Sequence, residues 1–514
     1  MSQRIILLIS LLALSSLSYS ESILFEHGAI ISFDEVSGTL QILRDHSLLV
    51  VDDTINAIFP TNSTDVPQNF TIPAGTIRIS AEGDIISPGY VDTHRHVWQT
   101  VHRSLGGVAT LADYLTRLTN VTIAARAYDP EISYYSELVG LCEAVNAGVT
   151  TIVDHASGSF TRDVVDAYIQ ATKDSGIRSV FAYNIGGYDT FPFSEQIEHF
   201  RTLMVDGTLN GSTISLGIAY ERWAFGIEPE IQAISELITD FDVAVLETHA
   251  VGGVFATENN PTLLAQIQLA NGTNLLNTTM PVIFVHGTSL TPMDITLLRT
   301  YNHYMSYAPE FEMSHSRDVG QQHLAQDQAS LSVGTHYTNS GDMVTQARIW
   351  LQNVRERLLS YMLTEQRIIP SRNPMSTNQG FLLATRSGAQ ALRRNDLGVL
   401  RVGAKADIVV YDGKAPGMLG WSDPVTAVLL HSHIGHVKHV LVNGKVWKRD
   451  GQIVHQGCLS TNETNIEERF VSAASSVQQF WKENPASLEG VFLTGYSYGS
   501  TQDMDVVRGS STGY

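Results

Sequence analysis

Residues 87–96 read SPGYVDTHRH, and this stretch is the strongest single indication of the fold. An apolar strand, predicted at Ile85–Val91, leads into His94 and His96, which are two positions apart. Side chains at i and i+2 of a strand share a face, so both imidazoles can point the same way from one rigid strand end. Neutral imidazoles are preferred ligands of zinc and related divalent metals. The stretch therefore predicts a strand end that carries two metal ligands.

Short apolar runs alternate with amphipathic segments from about residue 86 to residue 392. This alternation is typical of a parallel sheet with helical crossovers, and eight candidate strands predict an α/β fold with a (β/α)8 TIM-like barrel. The candidate strands are Ile85–Val91, Thr150–Asp154, Ser179–Tyr183, Ser215–Ala219, Ala244–Thr248, Val282–Val285, Tyr304–Tyr307 and Leu331–Val333.

Shorter alternating strands lie on both sides of this block, and neither flank alone offers enough of them for a stable sheet. We therefore predict a small β-sandwich domain formed from both chain ends. The predicted division is a signal peptide at 1–20, sandwich at 21–88, metal-binding barrel at 89–394, sandwich again at 395–460, and a C-terminal helix with a flexible tail at 461–514.

The net charge and the first residues bear on partners and location. With 52 acidic against 32 basic residues, the net charge of −20 disfavours nucleic acid, so we expect a small-molecule substrate and leave a homodimer open. Arg4 followed by the apolar run Ile5–Leu14 is typical of a cleaved signal peptide, with no membrane anchor after its removal. Together with seven Asn-x-Ser/Thr triplets, it predicts a glycoprotein that is secreted or resides in the secretory-pathway lumen.

The two cysteines are far apart in the sequence. Cys142 lies in the helix-like stretch Tyr134–Ala147, where a buried thiol is the usual finding, and Cys458 lies in a late loop. On this basis we predict no disulfide between them.

The stretch Ser87–His96 closely resembles the first-strand signature of the amidohydrolase superfamily, and further segments are similar to its cytosine-deaminase-like and chlorohydrolase-like branch. The resemblance implies that His249, after the strand Ala244–Thr248, is the third ligand of one divalent metal ion. It implies zinc, with iron and manganese as alternatives, and it implies that His286 orients or polarises the attacking water or the substrate. The further similar segments are Trp98–Thr100, Leu111–Tyr114, Gly148–Thr151, Val285–Gly287, Pro309–Met313, Ser340–Met343, Ala384–Ala389 and Gly398–Asp407.

Two positions depart from the family pattern. His336 stands in the eighth-strand segment where relatives carry a metal-binding, proton-shuttling Asp, and alternation from Gly334 predicts that it faces the other imidazoles as a catalytic residue. Gly252 stands where deaminating relatives carry a proton-shuttling Glu, three residues after His249. A histidine cannot supply an anionic carboxylate, so hydrolysis needs another base.

Four carboxylates are candidates for that base: Glu247, Glu310, Glu312 and Asp342. Asp342 is better placed to cap the helix that starts near Met343. Among the remaining histidines, His155 and His315 are predicted nearest the barrel mouth, without a ligand-like motif.

The predicted function is hydrolysis of a C–N bond in a small cyclic or amide-type molecule by a metal-dependent enzyme, with a role in secondary metabolism suggested by the resemblance alone. Two alternatives stay open. One is a lyase, isomerase or cyclase that uses the metal as a Lewis acid, and the other is a binding protein that has kept the barrel without catalysis.

Overall fold

The computed structural model describes residues 22–62, 70–119, 121–251, 257–315, 322–461 and 464–485. The predicted signal peptide, the triplets at Asn69, Asn120 and Asn462, Gly252 and the predicted C-terminal tail beyond 485 lie outside these residues. In chain order, the strands are β1 (Ser22–Asp34), β2 (Thr39–Val51), β3 (Thr54–Pro60), β4 (Ile77–Ser80), β5 (Ile85–Pro88), β6 (Tyr90–Arg95), β7 (Val149–Ala156), β8 (Arg178–Asn184), β9 (Ile214–Ala219), β10 (Leu246–Val251), β11 (Thr257–Glu258), β12 (Val282–His286), β13 (Tyr304–Tyr307), β14 (Ala329–Leu331), β15 (Ile408–Tyr411), β16 (Val437–Val442), β17 (Lys445–Arg449) and β18 (Gln452–Ile453).

Helices connect the strands and cap their own first turns with the residues that the sequence suggests. Asp129 accepts a hydrogen bond from the backbone N–H of Ile132, and Thr161 accepts one from Val164, as N-cap side chains do. The described α-helices of six or more residues are α1 (Pro130–Asn146), α2 (Arg162–Ser175), α3 (Phe193–Val205), α4 (Glu228–Asp240), α5 (Pro261–Asn271), α6 (Pro292–Tyr301), α7 (Pro309–Ser314), α8 (Met343–Ser360), α9 (Thr377–Ala384), α10 (Arg386–Ala391) and α11 (Ile466–Glu483).

The central sheet is the predicted eight-stranded parallel barrel. Its order is β6-β7-β8-β9-β10-β12-β13-β14, with each neighbouring pair parallel, and β11 adds to β10. The ring closes where the N–H of His96 donates to Gly334 O at 2.9 Å and the N–H of Gly334 donates to His94 O at 3.0 Å. Every residue of β7 and β12 is buried, as expected for parallel strands covered on both faces.

The second sheet draws on both ends of the chain, which confirms the predicted fold class. β1 to β5 and β15 to β18 form one hydrogen-bonded sheet, and β5 joins the two groups because it pairs with both β1 and β15. One prediction here is wrong: the single strand Ile85–Val91 is two strands, with β5 in this sheet and β6 in the barrel. The chain changes sheets at Gly89, where an added Cβ would lie 2.1 Å from Thr150 Oγ1, so only glycine fits.

The predicted absence of a disulfide is also wrong, because Cys142 and Cys458 are bonded, with Cα atoms 5.9 Å apart and a sequence separation of 316. Cys142 lies on α1, and Cys458 ends the short 3-10 turn Gln456–Cys458 after β18. The bond depends on the C-terminal segment lying over the barrel helix α1, and the spacing of two cysteines in sequence does not encode that packing.

The C-terminal helix α11 docks beside the end of β6. Trp481 Nε1 donates a hydrogen bond to His102 Nε2 at 3.1 Å, and the Gln478 amide donates to the backbone oxygens of Val101 (3.1 Å) and Arg103 (3.0 Å). This helix therefore supports the 3-10 turn Val97–His102, which directly follows His96. Among the described helices, none combines the length and the apolar character needed to cross a lipid bilayer.

Candidate metal centre

A cavity of about 310 Å³ lies at the carboxyl ends of the barrel strands, where parallel α/β barrels carry their sites. Five histidines line it together with aromatic, aliphatic and polar residues. The lining residues are His94, His96, Tyr114, Leu115, Thr119, His155, Ser157, Asn184, Gly186, Tyr188, Glu221, His249, Val251, His286, Phe311, Gly334 and Thr335.

The structure brings together the three histidines that were predicted as ligands. One nitrogen from each of His94, His96 and His249 lies within 4.8 Å of the others. His94 lies near the end of β6, His96 directly follows that strand, and His249 is on β10. Arg95, between the first two, forms a buried ion pair with Asp92, with Nε 2.8 Å from Oδ2. The positive charge of Arg95 is thus paired with Asp92, although Arg95 lies between the two histidines in sequence.

Each of these imidazoles is held by its Nδ1 atom. Nδ1 of His94 is 2.8 Å from Glu247 Oε1, and Nδ1 of His249 is 2.7 Å from Glu221 Oε1. Nδ1 of His96 is 3.2 Å from the backbone oxygen of His155. A carboxylate or carbonyl oxygen accepts, so each Nδ1 carries the proton and Nε2 is the nitrogen that can bind a metal. This arrangement of supporting groups is the one that metal-binding histidines use, and the donor set fits a divalent transition metal.

Burial and neighbouring histidines keep His96 neutral. Burial, followed by the neighbouring imidazoles of His94, His155 and His249, holds the pKa of His96 well below its usual value. Burial acts to raise the pKa of Glu221, but the charge and hydrogen bonds of His249 outweigh it and lower that pKa overall. A neutral imidazole and an ionised carboxylate are the forms of these two side chains that favour cation binding.

His286 lies next to the three histidines without joining their ligand group. Its ring centroid is 5.4 Å from that of His249 and 6.1 Å from that of His94, and its Nδ1 is 3.2 Å from Glu312 Oε1. The residue ends β12 with φ of 71°, a left-handed conformation that non-glycine residues seldom adopt. It lines the cavity with Phe311 stacked on its ring, with 5.7 Å between centroids. This position suits contact with a bound molecule.

His336 is not where alternation places it. Its Nε2 is 2.9 Å from Thr100 Oγ1, and the side chain does not line the cavity, to which this segment contributes Gly334 and Thr335. The reason is that β14 ends at Leu331 and Gly334 has φ of 69°, so the extended alternation stops before residue 336. Burial, followed by the charges of Arg95 and Arg103, holds the pKa of His336 well below its usual value.

The four candidate carboxylates have separate roles around the cavity. Glu247 is fully buried behind His94, and Glu312 supports His286. Glu310 accepts hydrogen bonds from Ser340 and Gln346 away from the lining. Asp342 caps α8, as expected, by accepting from the backbone N–H of Thr345 at 2.8 Å.

Sequence reasoning missed Glu221 and made no assignment for His155. Glu221 follows β9 by two residues and is the one carboxylate among the described residues that lines the cavity. His155 is on β7, is 1% exposed, and has Nδ1 2.9 Å from Glu247 Oε2. Both residues lie within two positions of the end of an apolar strand. Many polar residues share that position, so it does not single out these two. His315 hydrogen-bonds to Phe311 O and does not line the cavity.

Comparison with known proteins identifies the family. The sequence profile of the Amidohydrolase family matches residues 85–447, and the chain belongs to this family. The match confirms the predicted enzyme class at the level of the family: hydrolases that act on carbon–nitrogen bonds other than peptide bonds.

Similar sequences include two deaminases. The 5'-deoxyadenosine deaminase of Methanobrevibacter smithii is 22% identical over 429 residues, covering 81% of this chain and 89% of that protein. The 5-methylthioadenosine/S-adenosylhomocysteine deaminase of Pyrococcus horikoshii is 21% identical over 422 residues, covering 79% and 92%.

Similar solved structures share the fold. An adenosine deaminase from Xanthomonas campestris with bound zinc has a TM-score of 0.70 at 18% identity, covering 90% of this chain and 98% of that one. The atrazine chlorohydrolase TrzN from Arthrobacter aurescens, complexed with zinc, has a TM-score of 0.68 at 17% identity, covering 88% and 100%.

Proposed function

We propose that this protein is a secreted, metal-dependent amidohydrolase that hydrolyses a C–N bond of a small cyclic or amide-type molecule. The observation that carries the proposal is the group of His94, His96 and His249, whose ligand atoms lie within 4.8 Å of one another at a cavity of about 310 Å³. That volume is at the small end of the range for small-molecule sites, roughly 300–1,000 Å³. A macromolecular substrate fits it poorly.

The Nε2 atoms of these three histidines would hold the metal, for which we propose one catalytic divalent ion, zinc first and iron or manganese as alternatives. Such an ion, when bound, polarises a substrate or a water molecule as a Lewis acid. Glu247 and Glu221 fix the rings of His94 and His249 through Nδ1, and His155 O holds that of His96, so the three donors keep their directions without reorganisation.

Aromatic walls and a few polar groups indicate the class of substrate. Tyr114 and Phe311 pack edge to face with 5.2 Å between ring centroids, and both line the cavity, as does the polar Asn184. Flat rings bind well against such walls, and the polar groups can orient them. Since relatives are named as adenosine deaminases and an atrazine chlorohydrolase, we propose a nitrogen-containing ring that carries a hydrolysable C–N substituent. His286 would contact that ring or its leaving group.

Secretion is supported by the N-terminal sequence, the triplets and the disulfide. Asn62, Asn210 and Asn277 each begin an Asn-x-Ser/Thr triplet and are exposed, which leaves room for a glycan. The bond between Cys142 and Cys458 is typical of a chain that folds in an oxidising compartment. We also propose that the reaction is a tailoring step in secondary metabolism, and this part of the proposal is supported by the resemblance alone.

A non-hydrolytic reaction, or binding without catalysis, is the second candidate. It is favoured by the eighth-strand segment, which contributes Gly334 and Thr335 to the cavity and no carboxylate. In that case the site would activate a carbonyl for elimination, isomerisation or cyclisation.

The test is a screen of ring amines, halides and lactams with the zinc-reconstituted protein in ¹⁸O-labelled water. Incorporation of one labelled oxygen per turnover supports hydrolysis, whereas unlabelled product supports the second candidate. His249→Asn should lose both metal and turnover, and the control His199→Asn should keep both, since His199 lies on α3 between Tyr183 and Asp166.

A further inference from the structure

A row of four aromatic side chains connects the C-terminal helix α11 with the wall of the cavity. The ring of Trp481, near the end of α11, lies 5.9 Å from that of His102 between centroids, and the His102 ring lies 5.2 Å from that of Tyr337. Tyr337 stacks on Tyr114, with 6.4 Å between centroids and 20° between the ring planes. Tyr114 lines the cavity and the other three do not. These four residues are called the aromatic row.

A directional hydrogen bond fixes the first contact of the aromatic row. Trp481 Nε1 is 3.1 Å from His102 Nε2, and an indole N–H can only donate, so His102 Nε2 accepts. The Tyr128 hydroxyl is also 3.1 Å from this nitrogen. Burial lowers the pKa of His102 to about 3, which keeps the ring neutral with its proton on Nδ1. Trp481 therefore sets both the orientation and the tautomer of the His102 ring.

Tyr114 lies between the aromatic row and the cavity. One contact is with Tyr337, and another is with Phe311, which lines the cavity and packs edge to face with Tyr114 at 5.2 Å between centroids. Tyr114 begins the π-helical turn Tyr114–Leu118, and turns of this kind are frequent at functional sites. Protein interiors are close-packed, so a shift of Tyr337 must either move Tyr114 or leave a void beside it.

The helix α11 has anchors that do not depend on Trp481. The Cys142–Cys458 bond joins the segment just before α11 to α1, and the Gln478 amide donates to the backbone oxygens of Val101 and Arg103. A substitution at Trp481 therefore tests the aromatic contact while the helix stays docked.

We propose that α11 is a positioning element of the cavity wall, with Trp481 as its positioning residue. Through His102 and Tyr337, Trp481 sets the position of Tyr114. Trp481 does not line the cavity, so it acts on a bound molecule only through these neighbours. The positioning of Tyr114 goes beyond the proposed function, whereas its effect on a flat ring bound against Tyr114 rests on that function.

Fluorine NMR of the full-length protein labelled with 3-fluorotyrosine is the main test. Tyr114→Phe assigns the Tyr114 resonance by its loss. We expect Trp481→Phe, which keeps an aromatic ring but loses the indole donor, to shift this resonance by more than its linewidth, and Trp481→Ala to shift it further. Trp447→Phe is the matched control and should leave the resonance unchanged. Trp447 is likewise buried, and its Nε1 donates to Ser175 O at 2.8 Å in the second sheet.

Binding of 2-aminopurine measures the consequence for a ligand. This fluorescent, nitrogen-containing flat ring loses emission when it stacks on an aromatic side chain. Trp481→Ala should weaken its binding about threefold to tenfold, because part of one aromatic contact at the wall is lost. Trp481→Phe should weaken it less, and Trp447→Phe should bind it as the native protein does.

Three results would overturn the inference: a Tyr114 resonance that stays in place in both Trp481 variants, an equal shift in Trp447→Phe, or native-like 2-aminopurine affinity in Trp481→Ala. Circular dichroism melting checks that each variant is folded, and Trp481→Phe carries the test if Trp481→Ala does not fold. Native protein that binds no 2-aminopurine counts against the proposed flat-ring substrate. The NMR result then decides the role of α11 by itself, since it needs no ligand.

Discussion

Replacing Glu247 with Gln tests how the buried carboxylate prepares the metal centre. Glu247 is fully buried and receives Nδ1 of His94 on Oε1 (2.8 Å) and Nδ1 of His155 on Oε2 (2.9 Å). A glutamine of the same size keeps one acceptor but presents an NH2 group to the other ring. If that ring is His94, it must then accept at Nδ1 and carry its proton on Nε2, which removes the lone pair that would bind metal. If it is His155, His94 keeps its tautomer but its acceptor has lost the negative charge.

The expected loss is about 10–100-fold in metal affinity, or about 1.4–2.7 kcal/mol, as for other groups that orient metal-binding histidines. Competition against a chromophoric chelator at neutral pH measures it. Glu310→Gln is the matched control, because Glu310 accepts from Ser340 and Gln346 and does not line the cavity. Native-like metal affinity in Glu247→Gln would refute the reasoning that Glu247 sets the tautomer of these rings.

Three further predictions concern stability and the eighth-strand segment. Burial lowers the pKa of His102 to about 3. Between about pH 6.5 and pH 3 the unfolded chain therefore binds a proton at this residue that the folded chain does not, and the free energy of unfolding falls as the pH drops through this window. Urea unfolding should show a loss of about 2 kcal/mol in the free energy of unfolding at pH 5, and His102→Asn should lack this loss. Removing the Cys142–Cys458 bond with Cys458→Ser should lower the free energy of unfolding by about 2–4 kcal/mol, and an unchanged thermal midpoint would contradict this. His336→Asp should add no hydrolytic activity, because the side chain at 336 does not line the cavity; a gain in turnover would show that it reaches the substrate.

Much of the fold could be predicted from the sequence because the barrel strands are short, apolar and separated by amphipathic helices. The first strand was misjudged because Pro88 and Gly89 interrupt an apolar run that belongs to two sheets. Periodicity reports burial and cannot say which sheet a buried residue joins. The bond between Cys142 and Cys458 escaped prediction for a related reason, since it depends on how distant segments pack.

The candidate site could be predicted only in part. His94 and His249 lie on strands and His96 directly follows one, so strand geometry sets the direction of these side chains. Glu221 lies in a loop, and its contact with His249 depends on the backbone after β9, which no local pattern specifies. His336 was predicted to face the other imidazoles and does not. Gly334 has a left-handed backbone conformation, which ends the strand alternation on which that prediction depended.

We propose that one divalent ion binds to Nε2 of His94, His96 and His249. The most direct test is a crystal structure of the zinc-loaded protein with anomalous data collected on both sides of the zinc absorption edge. We expect an anomalous peak at about 2.0–2.1 Å from all three Nε2 atoms. A peak that lies away from any of these three nitrogens, or no peak at the barrel mouth in fully zinc-loaded crystals, would contradict it.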